Sequence, residues 1–408
     1  NTMGRINRND RHMEIKLCFD KMIKGKPYPN LATHQSVPYT QEWRKFSVTS
    51  PFSEPPMLVE FMDYSKVPYK IVPLAEADNS TFYLIALSFF DFKVNWFSLM
   101  SNKLLAKLKT KKIKILFYYW EADNPHIIND HISHQCRLNH IPRQQVKFIS
   151  ANSQAKNIKH FYHFVDDELL FQFRNRKIEP AQFHEMYRSM KFTALVRTHK
   201  YWRANVMTKI WEHGQNQQGY FSYSDEITAE ETEDDNPIEV DSFGNLRELT
   251  RLFLNECPFK ADNLSNDIHN DHRLAVNEHF SDSYLNVILE SHMDVDQSNG
   301  ILLSEKTFKP IKNAQPFIIF GAQGSLQLLR DMGYKTFEHV IDQSYDSIGN
   351  TSKRWEYTMN VLSSLILLSR HELHEIYVSL EEDIKHNQQL FLENKKDRLK
   401  RLVTKLYS

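Results

Sequence analysis

Glycine is scarce in this 408-residue chain: ten residues in all, none of them set out as GxGxxG or as a Walker loop. A phosphate site built on a glycine-rich loop is therefore excluded, and any phosphate must be held by other means. Cysteine is scarcer still. Cys18, Cys136 and Cys257 are far apart and odd in number. They frame neither a disulfide scaffold nor a metal site, and they point to a reducing, cytoplasmic setting. No apolar run approaches the roughly 18–20 residues that span a bilayer. The polar, charged opening carries no signal-peptide pattern, and its first residues, NTMGR, read as an addition ahead of the natural chain. An excess of charge of either sign is also missing, since Lys+Arg and Asp+Glu stand at 51 each. That balance excludes a uniformly basic nucleic-acid surface and leaves room for a local patch.

What is present is a globular composition, 41% hydrophobic and 25% charged, at a length that suggests two or three domains. Apolar runs with strand character alternate with helical stretches. In the first half they are MEIKLCF (13–19), MLVEFMDY (57–64), YKIVPL (69–74), FYLIALSFF (82–90), IKILFYYWEAD (113–123) and QVKFISAN (145–152), with a polar helix near 127–140. In the second half a strand at 192–196 passes into a helix at 201–213. GYFSYS (219–224), SYLNVILES (283–291) and PFIIF (316–320) follow as strands. GSLQLLRDMG reads as a helix closed by Gly333, and the chain from Thr351 onward reads as helical. The acidic run within 225–240 reads as a solvated loop. Strand, polar turn and helix recurring in both halves predict an α/β protein. The expected form is two Rossmann-like doubly wound domains facing each other across a cleft, residues 1–185 and 186–350, with C-terminal helices at 351–408.

In such sheets ligands bind outside the carboxyl ends of the strands, so the polar residues at those ends are the candidates for chemistry. Ser304, Glu305, Lys306 and Thr307 stand between two apolar runs, where a strand gives way to a helix. Free N–H groups and the positive helix end favour an anion there. Lys306 adds a charge for phosphate, Glu305 can accept from the vicinal hydroxyls of a ribose, and Ser304 can cap the helix. A plain capped helix with an exposed Glu/Lys pair has the same spacing. Pro310 is expected to break this helix after little more than one turn. Glu290 closes the preceding strand, either facing the cleft or as a surface acid. Arg197, His199, Lys200 and Arg203 mark another strand-to-helix transition, where they suit a pyrophosphate or serve as helix-surface charge. Glu121 and Asp123 end the strongest strand of the first half. A carboxylate beside Tyr118, Tyr119 and Trp120 could serve as a general base or simply cap the next helix, with His126 and His131 as alternatives. Asp294-Val295-Asp296 has the DxD form of a metal site, but the following Asn-Gly marks it as a turn, and no metal ligands are assigned.

Taken in order, NVILESH…GILLSEKTFKPIKNAQPFIIFG resembles the donor-site segment of α1,3-fucosyltransferases and related GT-B glycosyltransferases. FTALVRTHKYWRANVMTKIWEHGQNQQGYFSYS is similar to the segment that precedes it in those enzymes. EKTFKPI, GSLQLLRDMGYKTF and DQSYD, in that order, also resemble glycosyltransferases encoded by large tailed phages and other viruses. The likeness covers about residues 191–350 and fades toward the N-terminus. It implies a transferase that moves a sugar from a nucleotide-diphosphate sugar to an acceptor hydroxyl, with no metal or other cofactor required. Residues 1–185 would form the acceptor side and 186–350 the donor side. Glu305 would bind the ribose and Lys306 the diphosphate, with Arg197, His199, Arg203, Ser304 and Thr307 around the donor. Glu290 would lie near the sugar, and Glu121 or Asp123 would supply the base. The acceptor would be a glycan or a modified base of viral DNA, and the basic tail (Lys395, Lys396, Arg398, Lys400, Arg401, Lys405) could help hold the latter. A non-catalytic nucleotide-sugar-binding protein would keep the same fold.

Overall fold

The computed structural model describes residues 14–18, 62, 66–87, 92, 95–119, 124–153, 159–160, 179–224, 236–261, 277–294, 300–393 and 406. Glu121, Asp123, Asp296, the acidic run at 225–235 and the basic tail residues lie outside these. So does the strand expected at 57–64, apart from Met62. The chain divides into two compact units, Asn1–Asp166 with Lys395–Ser408, and Asp167–Asn394.

The first unit is built on a six-stranded sheet in the order β2-β1-β3-β4-β5-β6. Its strands are β1 (Ile15–Cys18), β2 (Tyr69–Ile71), β3 (Thr81–Leu87), β4 (Lys114–Tyr119), β5 (Val146–Ser150) and β6 (Lys159–His160). Every pairing is parallel. Parallel neighbours need crossovers, and α1 (Asn102–Lys109) and α2 (Pro125–Leu138) provide two of them. Ser101 caps α1 by accepting from Leu104 N. Asn124 caps α2, and Pro125 takes the first helical position, where its missing N–H costs nothing. Leu104 and Leu108 from α1 and Ile128 and Ile132 from α2 join Ile115, Phe117 and Tyr119 of β4 in one core.

The second unit carries a four-stranded sheet in the order β10-β9-β7-β8, again parallel throughout. The strands are β7 (Met190–Val196), β8 (Gly219–Tyr223), β9 (Ser283–Leu289) and β10 (Phe317–Phe320). Around them are α3 (Tyr201–Glu212), α4 (Leu246–Glu256), α5 (Asn277–Ser281), α6 (Glu305–Lys312), α7 (Ser325–Asp331), α8 (Thr351–Leu367), α9 (Arg370–Ser379) and α10 (Glu381–Glu393). All seven residues of β9 are buried, as expected of a central parallel strand. The molecule is thus an α/β protein with two parallel sheets, compatible with Rossmann-like units. The first strand of each unit has the second on one side and the third on the other, so both sheets reverse their winding at the same relative place.

Pro310 does not end α6 as expected. Its ring nitrogen cannot donate to Lys306 O, yet the helix continues to Lys312. Phe308 and Ile311 are buried. Gln388 Nε2 donates to Lys312 O at 2.6 Å, and Asn313 N to Lys309 O at 3.1 Å. Tertiary packing thus holds the last turn that the proline weakens. Among the described residues no helix is long and apolar enough to cross a membrane.

Candidate functional site

In the second sheet the winding reverses between β7 and β9. Met190 pairs with Ser283 and Thr193 with Asn286. That register sets Val196 level with Leu289, so both strands leave the sheet at the same edge. Residues 197–203 and 290–294 meet there, at the type of crevice where open α/β sheets take their ligands.

Arg203 fastens the two strand ends together. It is 3% exposed. Its Nε and Nη2 donate to Glu290 O at 3.2 and 2.6 Å, and its Nη1 to Thr198 O at 3.0 Å. Three nitrogens of the guanidinium are thus turned toward protein carbonyls, which makes Arg203 a positioning residue whose charge still acts on the edge. Glu290 is equally engaged. It is 1% exposed. Its Oε1 accepts from Ser304 N (3.1 Å) and Thr307 Oγ1 (2.5 Å), and its Oε2 from Ser291 N (3.2 Å). This carboxylate ties the end of β9 to the start of α6. Thr307, fully buried, faces inward on Glu290.

Ser304 caps α6, its Oγ accepting from Lys306 N at 3.3 Å. The Lys306 ammonium folds back over the same turn. It lies 3.2 Å from Ser304 Oγ, 3.4 Å from Ser291 Oγ and 3.2 Å from Glu305 Oε1, with about a third of its side chain exposed. Glu305 is largely covered. Arg197 and Lys200 are half-buried just beyond β7.

Two imidazoles complete the edge. His199 is fully buried. Its Nδ1 lies 2.8 Å from the Tyr223 hydroxyl of β8, its ring meets Tyr201 edge-on at 4.8 Å, and among the described residues Nε2 has no hydrogen-bond partner. His292 is half-buried just past Glu290. Burial pushes the imidazole of His199 below its ordinary range, and nearby Arg203 adds to the effect. Burial does the same to His292, followed by Lys200 and then Arg203, against the opposing pull of Asp294 and Glu290. Both rings are therefore neutral at neutral pH.

The structure thus brings Arg197, His199, Arg203, Glu290, Ser304, Glu305, Lys306 and Thr307 to one sheet edge. Glu121 and Asp123 lie outside the described residues. His126 is an exposed residue of α2, and His131 is bonded to Gln135 and packed edge-on against Phe92. Asp294 is exposed. Among the described residues no group of three or more His, Cys, Asp or Glu side chains is placed to hold a metal ion.

Three residues at this edge lie beyond the sequence expectations. His292 is one, although its place directly after the strand end was a usable signal. Arg354 of α8 is another. Buried, it donates to Gly321 O (3.1 Å), Ile348 O (2.6 Å), Gly349 O (3.2 Å) and Met293 O, and so joins the loops after β9 and β10. The third is Asp346, whose carboxylate accepts from Leu326 N and Gln327 N, both at 2.9 Å. It caps α7 from twenty residues away, because the local cap position is Gly324, at φ 82°, with no side chain to offer. Gly321 sits close to its neighbours: a Cβ there would meet Ser325 Oγ at 3.1 Å and Ile319 Cγ2 at 3.2 Å, so a larger residue would need those side chains to shift by a few tenths of an ångström.

Fold and edge together define an α/β protein with a basic, imidazole-bearing rim at the switch point of its second sheet. Family models, curated proteins and solved structures give no match to the chain.

Proposed function

We propose that this protein is a glycosyltransferase of the GT-B kind, moving a sugar from a nucleotide-diphosphate sugar to an acceptor hydroxyl. One observation carries the proposal. The switch point of the second sheet carries Arg197, Lys200 and Arg203 just after β7, and Arg203 and Glu290 tie that edge to the capped start of α6, where Lys306 lies. A diphosphate is the ligand that such a rim suits. Its negative charge grows as the glycosidic bond breaks, and preorganised cations and helix N–H groups stabilise that growth. Lys306 sits nearest the α6 cap and contacts the leaving diphosphate. Arg203 and Glu290 hold the two strand ends so that this geometry exists before the donor arrives. With the positive charge supplied by side chains, the reaction does not call for a metal. The acceptor's proton passes to a carboxylate of the first unit, Glu121 or Asp123.

Calorimetric titration with a panel of nucleotide-diphosphate sugars tests the proposal. The expected result is binding of one nucleotide class, lost in Lys306→Ala. Glu121→Gln should bind the donor normally and turn over poorly. If no nucleotide binds the wild type, the rim is only a capped helix beside ordinary surface charge, and the proposal fails.

A further inference from the structure

At the edge of the second sheet opposite the rim, where β7 and β9 begin, an aromatic side chain is held rigid and left open to water. Tyr187 stands three residues before β7 and is 61% exposed. The backbone that follows it is pinned. Arg188 N donates to the Tyr284 hydroxyl at 2.9 Å, and Arg188 Nη1 to Phe280 O and Ser283 O, both at 2.6 Å. Arg370 Nη1 donates to Ser189 O at 3.1 Å. The ring is fixed as firmly. His374 of α9 stacks against it, with centroids 4.0 Å apart and planes 15° from parallel. His374 is itself anchored to the core, its Nδ1 3.3 Å from the hydroxyl of buried Tyr284. His371, one helical turn earlier, has its Nδ1 2.8 Å from the Tyr187 hydroxyl. The planes of these two rings are 19° apart and their centroids 6.3 Å apart. A hydrogen bond between a phenol and a ring nitrogen runs near the ring planes. Tyr187 and His371 therefore lie side by side as one flat ledge, with His374 as its base.

One face of Tyr187 rests on His374, and with more than half of the residue exposed the other face is open. An aromatic ring stabilises a fold chiefly by being buried, so a ring fixed in water contributes little. What this arrangement does supply is a preorganised surface that a flat ligand meets at low ordering cost. Polar groups border it. His371 Nε2 and Glu375 Oε1 are 3.6 Å apart, and both side chains are 67% exposed. We propose that the ledge is a carbohydrate-binding site: one pyranose ring of a glycan lays its C–H face on Tyr187 and turns its hydroxyls toward His371 and Glu375. A sugar combines an apolar face with hydroxyls around its edge, which is the complement of this surface. A carboxylate at the border accepts from hydroxyls and repels phosphates, so a neutral glycan is favoured over a nucleic acid strand, whose bases could stack on the same ring. The seven residues of β7 separate the ledge from the diphosphate rim, a span of about 23 Å. One sugar cannot occupy both, and the ledge does not rest on the donor reading.

The test is an array of neutral hexose and N-acetylhexosamine oligosaccharides probed with the labelled full chain, followed by saturation-transfer NMR on the glycan that binds. The expected result is binding of at least one oligosaccharide, with the strongest transfer to the protons on one face of a single ring. Tyr187→Ala should weaken that binding about tenfold. Tyr187→Phe keeps the stacking face and should retain most of it. His371→Ala, at an exposed position, serves if Tyr187→Ala does not fold. Lys306→Ala should leave glycan binding unchanged. Binding lost in Lys306→Ala and kept in Tyr187→Ala would place the glycan at the rim and overturn the ledge. So would an array with no bound glycan, or Tyr187-dependent binding of single-stranded oligothymidylate or of a second copy of the chain in its place. Nucleotide-sugar titration is a separate arm, so the donor reading and the ledge can each fail while the other stands.

Discussion

Glu290 separates a positioning carboxylate from a catalytic one. Its two oxygens accept three hydrogen bonds, two at Oε1 and one at Oε2, from the residues that start α6 and end β9. Glutamine has the same shape, but it offers one acceptor oxygen and one donor group. If the amide oxygen stays with Ser304 N and Thr307 Oγ1, the NH2 faces Ser291 N, donor against donor. Glu290→Gln then loses one charge-assisted hydrogen bond outright and weakens two others. A hydrogen bond to a charged group contributes about 1.5–3 kcal/mol. For a unit of this size each kcal/mol moves the melting temperature by about 2–4 °C. The expected drop is therefore roughly 3–12 °C, followed by circular dichroism, with weaker nucleotide-sugar binding because the α6 cap is no longer held. Thr307→Val should show a smaller drop of the same kind. A Glu290→Gln protein with unchanged melting temperature and donor affinity but lost turnover would refute this account and make Glu290 a catalytic group.

Other outcomes follow from the same contacts. Arg354→Met leaves four backbone carbonyls without their donor and should cost about 3–5 kcal/mol in urea unfolding, as breaking a buried charged network does; Arg354→Lys should recover only part. Asp346→Ala removes the cap of α7 and should cost about 1–2 kcal/mol, read in the same assay. At the other end of the sheet, burial alone would raise the Asp282 carboxyl. Hydrogen bonds from the side chain and backbone of Ser189 and from Tyr220 outweigh it and hold the group below its ordinary 3.8. A depressed carboxyl contributes stability that is full above the unfolded value and is lost as pH falls through the folded one. Stability should therefore decline from about pH 4 downward, and Asp282→Asn should flatten that acid limb in urea midpoints measured across it.

Most strands were legible because a central parallel strand is buried on both faces and reads as a largely apolar run: KILFYY at β4 and SYLNVIL at β9 need no partner information. The helix start at Ser304 was also open to view, since a cap is a local bond between neighbours in sequence; the start at Asn124 was not, the helix being expected from about 127 with Glu121 as a candidate cap. What stayed hidden was decided at long range. Helix α4 escaped notice because Thr250 interrupts an apolar face otherwise formed by Leu246 and Phe253. Pro310 misled because the groups that hold the end of α6 come from α10 and the turn that follows the helix. Arg354 looks like any charged helix residue in SKRWEYT, and only the folded loops around it make it a buried donor. The ordered pattern GSLQLLRDMGYKTF…SYD has a plain structural meaning: Asp346 caps the helix that Gly324 opens. It therefore marks architecture at least as much as chemistry.

The make-up of the two units carries a consequence for biosynthesis. The second unit is one continuous stretch, Asp167–Asn394, whereas the first draws on both ends of the chain. Leu406 is buried and belongs with the first unit. On the ribosome, the second unit has its whole sequence available before residues 395–408 emerge. The first unit, although begun earlier, must wait for that later segment. The usual order is thereby inverted, with the later-made unit able to finish folding ahead of the earlier one. A chain cut short before Lys395 should leave the second unit intact and the first exposed to proteolysis.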